Sequence, residues 1–117
     1  MSSGQIRFAE EQFDRVINYG EKYPDDYDIQ QTHAWTLIVK GHLFFGKSLY
    51  EQAIEVLKEA EGICSKIDNY AGIAQANAVV AQVYGNTGDK KRADECKEKS
   101  AKYQEIAKEM KLSLIHI

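Results

Sequence analysis

One segment of the sequence has the residue types and spacing of a phosphate-binding loop. Gly41 to Ser48 matches the pattern G-x-x-x-x-G-K-[ST], in which backbone N–H groups cradle phosphates, the lysine reaches the outer phosphates and the serine holds magnesium. The bulky residues 43–45 would fill such a loop, and no later apolar strand ends in a magnesium-binding aspartate. The 117 residues also show no obvious set of parallel strands with crossover helices. Nucleotide binding through Gly41–Ser48 therefore stays an alternative hypothesis.

The other side chains that could do chemistry do not form a catalytic set. His33 and His42 lie nine residues apart, which we interpret as roughly one helix face, whereas a helical metal pair needs a spacing of about three or four. We expect them to serve helix hydrogen bonding or groove polarity. Cys64 is expected to be a small buried hydrophobe, because no histidine–aspartate pair accompanies it. We therefore predict no enzymatic activity, no metal and no cofactor.

Composition and charge narrow the class of protein. The chain has 117 residues, of which 44% are hydrophobic and 28% charged, and its net charge is -3. These values are typical of one soluble globular domain. The slightly acidic net charge lacks the excess of Lys and Arg that is typical of nucleic-acid-binding proteins. No apolar run approaches a membrane span of roughly 18 residues, and residues 1–7 lack the apolar stretch of a signal peptide. Cys64 and Cys96 are far apart, so we expect a reduced intracellular protein, with the cytoplasm as its compartment.

The spacing of apolar residues predicts five helices and no strand, so the expected fold class is all-α. Tyr23-Pro24 ends the first helix, because proline disfavours helical backbone in the residue before it. The connections are short, which favours antiparallel hairpins between neighbouring helices. After a flexible N-terminus at 1–4, the helices are expected at residues 5–22, 28–45, 49–67, 70–86 and 90–111.

Capping residues support these bounds. Ser48 and Glu51 are predicted to form a capping box for the third helix, and Asp89 is predicted to cap the fifth. We interpret the carboxylates around the proline turn as solvent-exposed groups that cap helix ends; they are Asp25, Asp26 and Asp28.

The last six residues break the pattern of the charged helix before them. Leu112 to Ile117 resembles, residue for residue, one reading frame of the transposase-end adapter used in sequencing libraries. We interpret residues 112–117 as a non-native tail and exclude them from the predicted domain, which spans residues 5–111. On this interpretation the natural chain continues past Lys111, and the sequence is a fragment.

An internal repeat of about 40 residues links the hairpins. Small residues let facing helices approach closely, and large residues fill the gaps between them. The first series is Gly41, Phe44, Tyr50, Ala53, Leu57 and Ala60, and the second is Ala81, Tyr84, Lys90, Ala93, Lys97 and Ser100.

This pattern resembles the tetratricopeptide repeat (TPR) family, in a version longer than the basic period of about 34 residues. The most typical stretch is Tyr84 to Asp89, with its turn glycine Gly88, followed by Ala93. Lys40, Asn77 and Lys97 depart from the apolar residues usual at their positions. The resemblance implies antiparallel helix hairpins stacked as a right-handed solenoid.

In this family the first helix of each hairpin lines a concave groove. The resemblance places eight residues there, namely Trp35, Ile38, His42, Phe45, Gln75, Ala78, Gln82 and Asn86. An aromatic anchor beside amide donors suits a peptide or a helix, although Trp35 packed as core between hairpins stays an alternative. The carboxylate clamp of chaperone-binding members is absent, because its positions hold Ile38, His42, Gln75 and Val79.

The sequence as a whole predicts a protein–protein interaction module within a larger scaffold or adaptor. Its expected partner is a protein or peptide, and not a nucleic acid, a membrane or the carboxylate tail of a chaperone. A self-associating structural helical protein, whose groove or fifth helix pairs with a second copy, is the alternative beside nucleotide binding.

Overall fold

Residues 3–115 are described by a computed structural model, and Met1, Ser2, His116 and Ile117 lie outside it. Five helices follow one another: α1 (Ser3–Lys22), α2 (Tyr27–Gly46), α3 (Tyr50–Lys66), α4 (Tyr70–Thr87) and α5 (Lys90–Ile115). No strand occurs between residues 3 and 115, so the predicted all-α fold class is confirmed. None of these five helices is both long and apolar enough to cross a bilayer.

The observed helices extend beyond the predicted ones at the two ends of the chain. α1 begins at Ser3, so Ser3 and Gly4, which were expected before the first helix, belong to it, while Met1 and Ser2 lie outside the described residues. α5 continues to Ile115, so the first four residues of the expected non-native tail extend the charged helix. The last two residues of that tail lie outside the described part.

Aspartate side chains cap two of the helices. The carboxylates of Asp26 and Asp89 each accept a hydrogen bond from the backbone N–H three residues later, at 3.1 Å in both cases. The predicted cap at Asp89 is therefore confirmed. α3 instead begins after Leu49 without a side-chain cap, so the predicted capping box of Ser48 and Glu51 is wrong.

Three of the turns between helices share one geometry. Ser48, Asp68 and Gly88 follow their helices in the left-handed conformation, with φ of 61°, 55° and 83°. In each turn the N–H of the next residue donates to the carbonyl five positions earlier, at 2.9, 2.8 and 2.9 Å. This pattern is the Schellman motif, in which glycine is the usual left-handed residue. Since the three positions lie 20 residues apart, the chain reverses direction at a regular interval.

Glycine at the first two turns is expected to stabilise the protein. A residue with a Cβ is about 1–2 kcal/mol less stable in the left-handed conformation than glycine is. Part of this advantage of glycine is lost, because glycine has more conformational entropy in the unfolded chain. We expect Asp68→Gly to raise the free energy of unfolding by about 0.5–1 kcal/mol, measured by urea denaturation. Ser48→Gly should raise it by less, because this substitution also removes the hydrogen bond from the Ser48 side chain to Tyr50. Ser65→Gly, at an exposed position inside α3, is the control and should lower it by up to about 1 kcal/mol. Equal losses in all three variants would contradict the prediction.

The core lies where α2, α3 and α4 meet. Consecutive helices pack against each other and α2 also packs against α4, whereas α1 packs against α2 alone among the described helices. Leu37, Leu57 and Val79 are at most 2% exposed at this junction. The close approach of α2 to α3 requires a glycine at position 41, because a Cβ there would lie 2.6 Å from the Cγ of Leu57.

Most of the repeat positions named from the sequence lie at the contacts between helices, whereas Gly88 and Lys90 are exposed. Of the residues that depart from the repeat, Asn77 is hydrogen-bonded, since its amide donates to the Ile73 carbonyl at 2.9 Å. At the repeat position Ser100 the hydroxyl donates to the Ala74 carbonyl at 2.8 Å. Lys97 is exposed. Gly41, Ala53, Leu57, Ala60, Ala81 and Ala93 are buried, while Phe44, Tyr50 and Tyr84 are half-buried against the core.

Candidate binding groove

α2 and α4 lie side by side, and α3 packs against both of them. α2 packs against α1, α3 and α4, and α4 packs against α2, α3 and α5, so each helix keeps one exposed face. We call the exposed faces of α2 and α4 together the groove.

α4 contributes a narrow uncharged strip to the groove. The helix contains no Lys, Arg, Asp or Glu, and its neighbours bury eight of its residues. The exposed remainder follows a helical spacing and consists of small and amide side chains. Along the helix these are Ala71, Gln75, Ala78 (half-buried), Gln82 and Asn86, and Gly85 and Thr87 are also exposed at its end.

α2 contributes the aromatic side of the groove. Trp35 is 58% exposed, so the structure places it on the surface and not between hairpins. His42 is exposed on the same side, and the half-buried Phe45 packs against Tyr50 with ring centroids 6.0 Å apart. Ile38 is only 2% exposed and belongs to the core. Its predicted position in the groove is therefore wrong.

The far end of the groove is fixed by a contact to α3. The Asn86 amide donates to the Tyr50 hydroxyl at 3.3 Å. Hydrogen bonds from the Ser48 and Asn86 side chains lower the pKa of Tyr50. This tyrosine therefore ties the end of α4 to the turn between α2 and α3.

The near end of the groove carries a residue that sequence reasoning did not select. Asp28 was interpreted as solvation and capping, but the capping carboxylate is Asp26. The Asp28 side chain instead lines two adjoining crevices, one against Tyr19 of α1 and one against Trp35. The signal available in the sequence was the spacing of Asp28 and Trp35, which lie two helical turns apart on one face of α2.

His33 does not belong to the groove. The ring is 4% exposed and packs against Gly20 of α1, and neither of its nitrogens has a hydrogen-bond partner among the described residues. Burial lowers the pKa of His33, and the carboxylates of Glu59 and Glu21 oppose this effect. The sequence interpretation of His33 is wrong on two counts, since the ring makes no hydrogen bond to the described part of the chain and lies on the side of α2 opposite the exposed His42.

The other sites considered from the sequence have no reactive geometry in the described residues. Residues 41–46 are helical, so the backbone of the phosphate-binding pattern is not an open loop. Cys64 is 1% exposed, as expected, and burial raises the pKa of its thiol to about 11. Burial also raises the pKa of Cys96. Within residues 3–115 no three His, Cys, Asp or Glu side chains are grouped closely enough to hold a metal ion.

Comparisons of the chain with protein-family models, curated protein sequences and solved structures give no significant match. Membership of the TPR family therefore stays a prediction, supported by the residue pattern and by the all-helical fold.

Proposed function

We propose that this chain is a protein–protein interaction module that binds an extended peptide along the groove. The observation that supports this most directly is the surface of α4, which is buried on its other sides and exposes a strip without a charge, together with the exposed Trp35 on the adjacent helix α2. In this proposal the module is one TPR-like part of a larger scaffold or adaptor.

The spacing of the amides matches an extended chain. Gln75 and Gln82 are seven residues apart, which corresponds to about 10.5 Å along a helix. Three residues of extended peptide cover about 10 Å. Each exposed glutamine can both donate to and accept from a peptide backbone. The two side chains would therefore pair with backbone groups three residues apart in the ligand.

The helices that form the groove also keep the energetic cost of binding low. Trp35 offers a large, exposed aromatic surface on a rigid helix, and buried tryptophans are frequent centres of binding energy in protein interfaces. Because the groove is built from packed helices, little backbone ordering is needed when a ligand binds. The binding energy is therefore expected to concentrate on Trp35, with the amides fixing the direction of the peptide.

A selection from a displayed library of random 12-residue peptides tests the proposal. We expect the selection to yield peptides that bind the wild-type chain. Their affinity should fall about tenfold or more for Trp35→Ala and about threefold to tenfold for Gln82→Ala. Fluorescence polarisation of the labelled peptides measures the affinity. The circular dichroism spectrum should remain unchanged, since both side chains are exposed.

Two matched variants control for the chemistry of these substitutions. Phe8→Ala removes an exposed aromatic side chain from α1, and Gln52→Ala removes an exposed glutamine from α3, both outside the groove. They should leave peptide affinity unchanged. Full binding by Trp35→Ala and Gln82→Ala, or equal losses in the control variants, would overturn the proposed function.

A further inference from the structure

The near end of the groove places a carboxylate between two exposed aromatic rings. Asp28 and Thr32 line one crevice together with Tyr19, and they line the adjoining crevice together with Trp35. Tyr19 and Trp35 are each 58% exposed. A group that enters either crevice therefore meets the Asp28 carboxylate and the face or edge of an aromatic ring.

The only charged side chain that α2 and α4 present to the described part of the groove is negative. α4 has no charged side chain, and α2 has Asp28 and Lys40. The Lys40 ammonium lies 5.7 Å from the centre of the Phe44 ring, and both residues line a crevice on the α1 side of α2, away from the groove. Asp28 takes part in none of the ion pairs found among the described residues. The described part of the groove therefore presents an unpaired negative charge at its near end.

We propose, building on the proposed function, that the groove binds a peptide with an arginine whose guanidinium stacks on Trp35 and pairs with Asp28. Tryptophan is the aromatic side chain that attracts cations most strongly. A guanidinium is planar, so it can stack on a ring while its N–H groups donate to a carboxylate. Lysine would supply the charge without the planar donor set, and an acidic residue would be repelled by Asp28.

The peptides selected from the library provide the probes for this proposal. Each arginine in them is replaced by citrulline, which keeps the shape of the side chain and removes its charge. Trp35 is the single tryptophan of the sequence, so its fluorescence reports binding at the proposed position. We expect arginine to be enriched at one peptide position, and citrulline there to lower affinity about tenfold.

The protein variants then assign the effect to Asp28. Asp28→Asn should lower the affinity for the arginine peptide about tenfold and bind the citrulline peptide as the wild type does. Asp25→Asn removes an exposed carboxylate from the connection just before α2, outside both crevices, and should bind both peptides as the wild type does. Circular dichroism checks that both variants are folded.

The outcomes separate this inference from the proposed function. Peptides that depend on Trp35 and Gln82 but show no arginine preference, or that bind Asp28→Asn with wild-type affinity, would overturn the inference and leave the proposed function intact. Enrichment of lysine in place of arginine would overturn the choice of a guanidinium. If no selected peptide depends on Trp35 or Gln82, the proposed function fails and the inference fails with it.

Discussion

Replacing Leu57 by alanine is expected to lower the free energy of unfolding by about 3 kcal/mol, within the usual range of 2–5 kcal/mol for a buried leucine. Leu57 is 0% exposed and lies in the core formed by α2, α3 and α4. Its loss removes apolar contacts and leaves a cavity between three helices. Since small domains have a total stability of about 5–15 kcal/mol, this loss should shift the midpoint of urea denaturation strongly.

Adding a side chain at Gly41, which faces Leu57, should destabilise the core by overpacking it and not by leaving a cavity. A Cβ on Gly41 would lie 2.6 Å from Cγ and 2.7 Å from Cδ2 of Leu57, so Gly41→Ala forces the two helices apart. We expect a loss of about 1–3 kcal/mol. Gly62→Ala is the matched control, because nothing lies within 4 Å of its added Cβ and alanine favours a helix. That variant should gain up to about 1 kcal/mol.

The two substitutions should not be additive. With Leu57→Ala in place, the methyl group of Gly41→Ala has room and fills part of the cavity. The double variant is therefore expected to be at least about 1 kcal/mol more stable than the sum of the two single losses implies. Additive losses in urea denaturation would show that the helices do not approach through this pair.

The turns show what local sequence can and cannot predict about the fold. The residue types of Gly88 and Asp89 predict the end of one helix and the start of the next, and both roles are found in the structure. Ser48 and Asp68 adopt the same left-handed turn without the residue type that usually signals it. The residue types at these two positions do not signal that conformation. This is why Ser48 was mistaken for a helix cap.

For the candidate groove, the sequence could predict which residues share a face of a helix, but not how far neighbouring helices cover them. Trp35, Gln75 and Gln82 were selected through the family resemblance and are exposed, although their role in binding stays a prediction. Ile38 was misplaced because helical spacing gives the side of a helix, whereas the position of α4 decides how much of that side is covered. His33 and His42 are nine residues apart, and at about 100° per residue they lie on opposite sides of α2.

The stability of the protein is expected to decrease as the pH falls below about 6.5, and His33 is the expected cause. Its ring is enclosed between α1 and α2, and a Cβ on Gly20 would overlap it. Protonation would place a charge with two donors where neither nitrogen has a partner. Glu21 of α1 and Glu59 of α3 favour the charged form, but the effect of burial is larger and the pKa of His33 is lowered from its usual value of 6.5.

The sign of the pH dependence follows from proton binding. Above about pH 6.5 His33 is neutral in the folded and the unfolded chain, so it contributes no pH dependence. Below that value the unfolded chain binds the proton more readily, which favours unfolding. The slope contributed by this one group is at most about 1.4 kcal/mol per pH unit, the limit for one proton, and it ends where the pH reaches the lowered pKa of the folded state. Urea denaturation at half-unit steps from pH 7.5 to 5 measures this slope.

His33→Leu should flatten the pH dependence between pH 6.5 and 5, because it replaces the unpaired ring with an apolar side chain. At pH 7.5 the change should be nearly neutral or stabilising, since no hydrogen bond is lost. His42→Gln removes an exposed histidine from the same helix and should keep the wild-type slope. Because α1 packs against α2 alone among the described helices, hydrogen exchange in α1 should accelerate first as the pH falls. An equal slope in the wild type and in His33→Leu would assign the pH dependence to other groups.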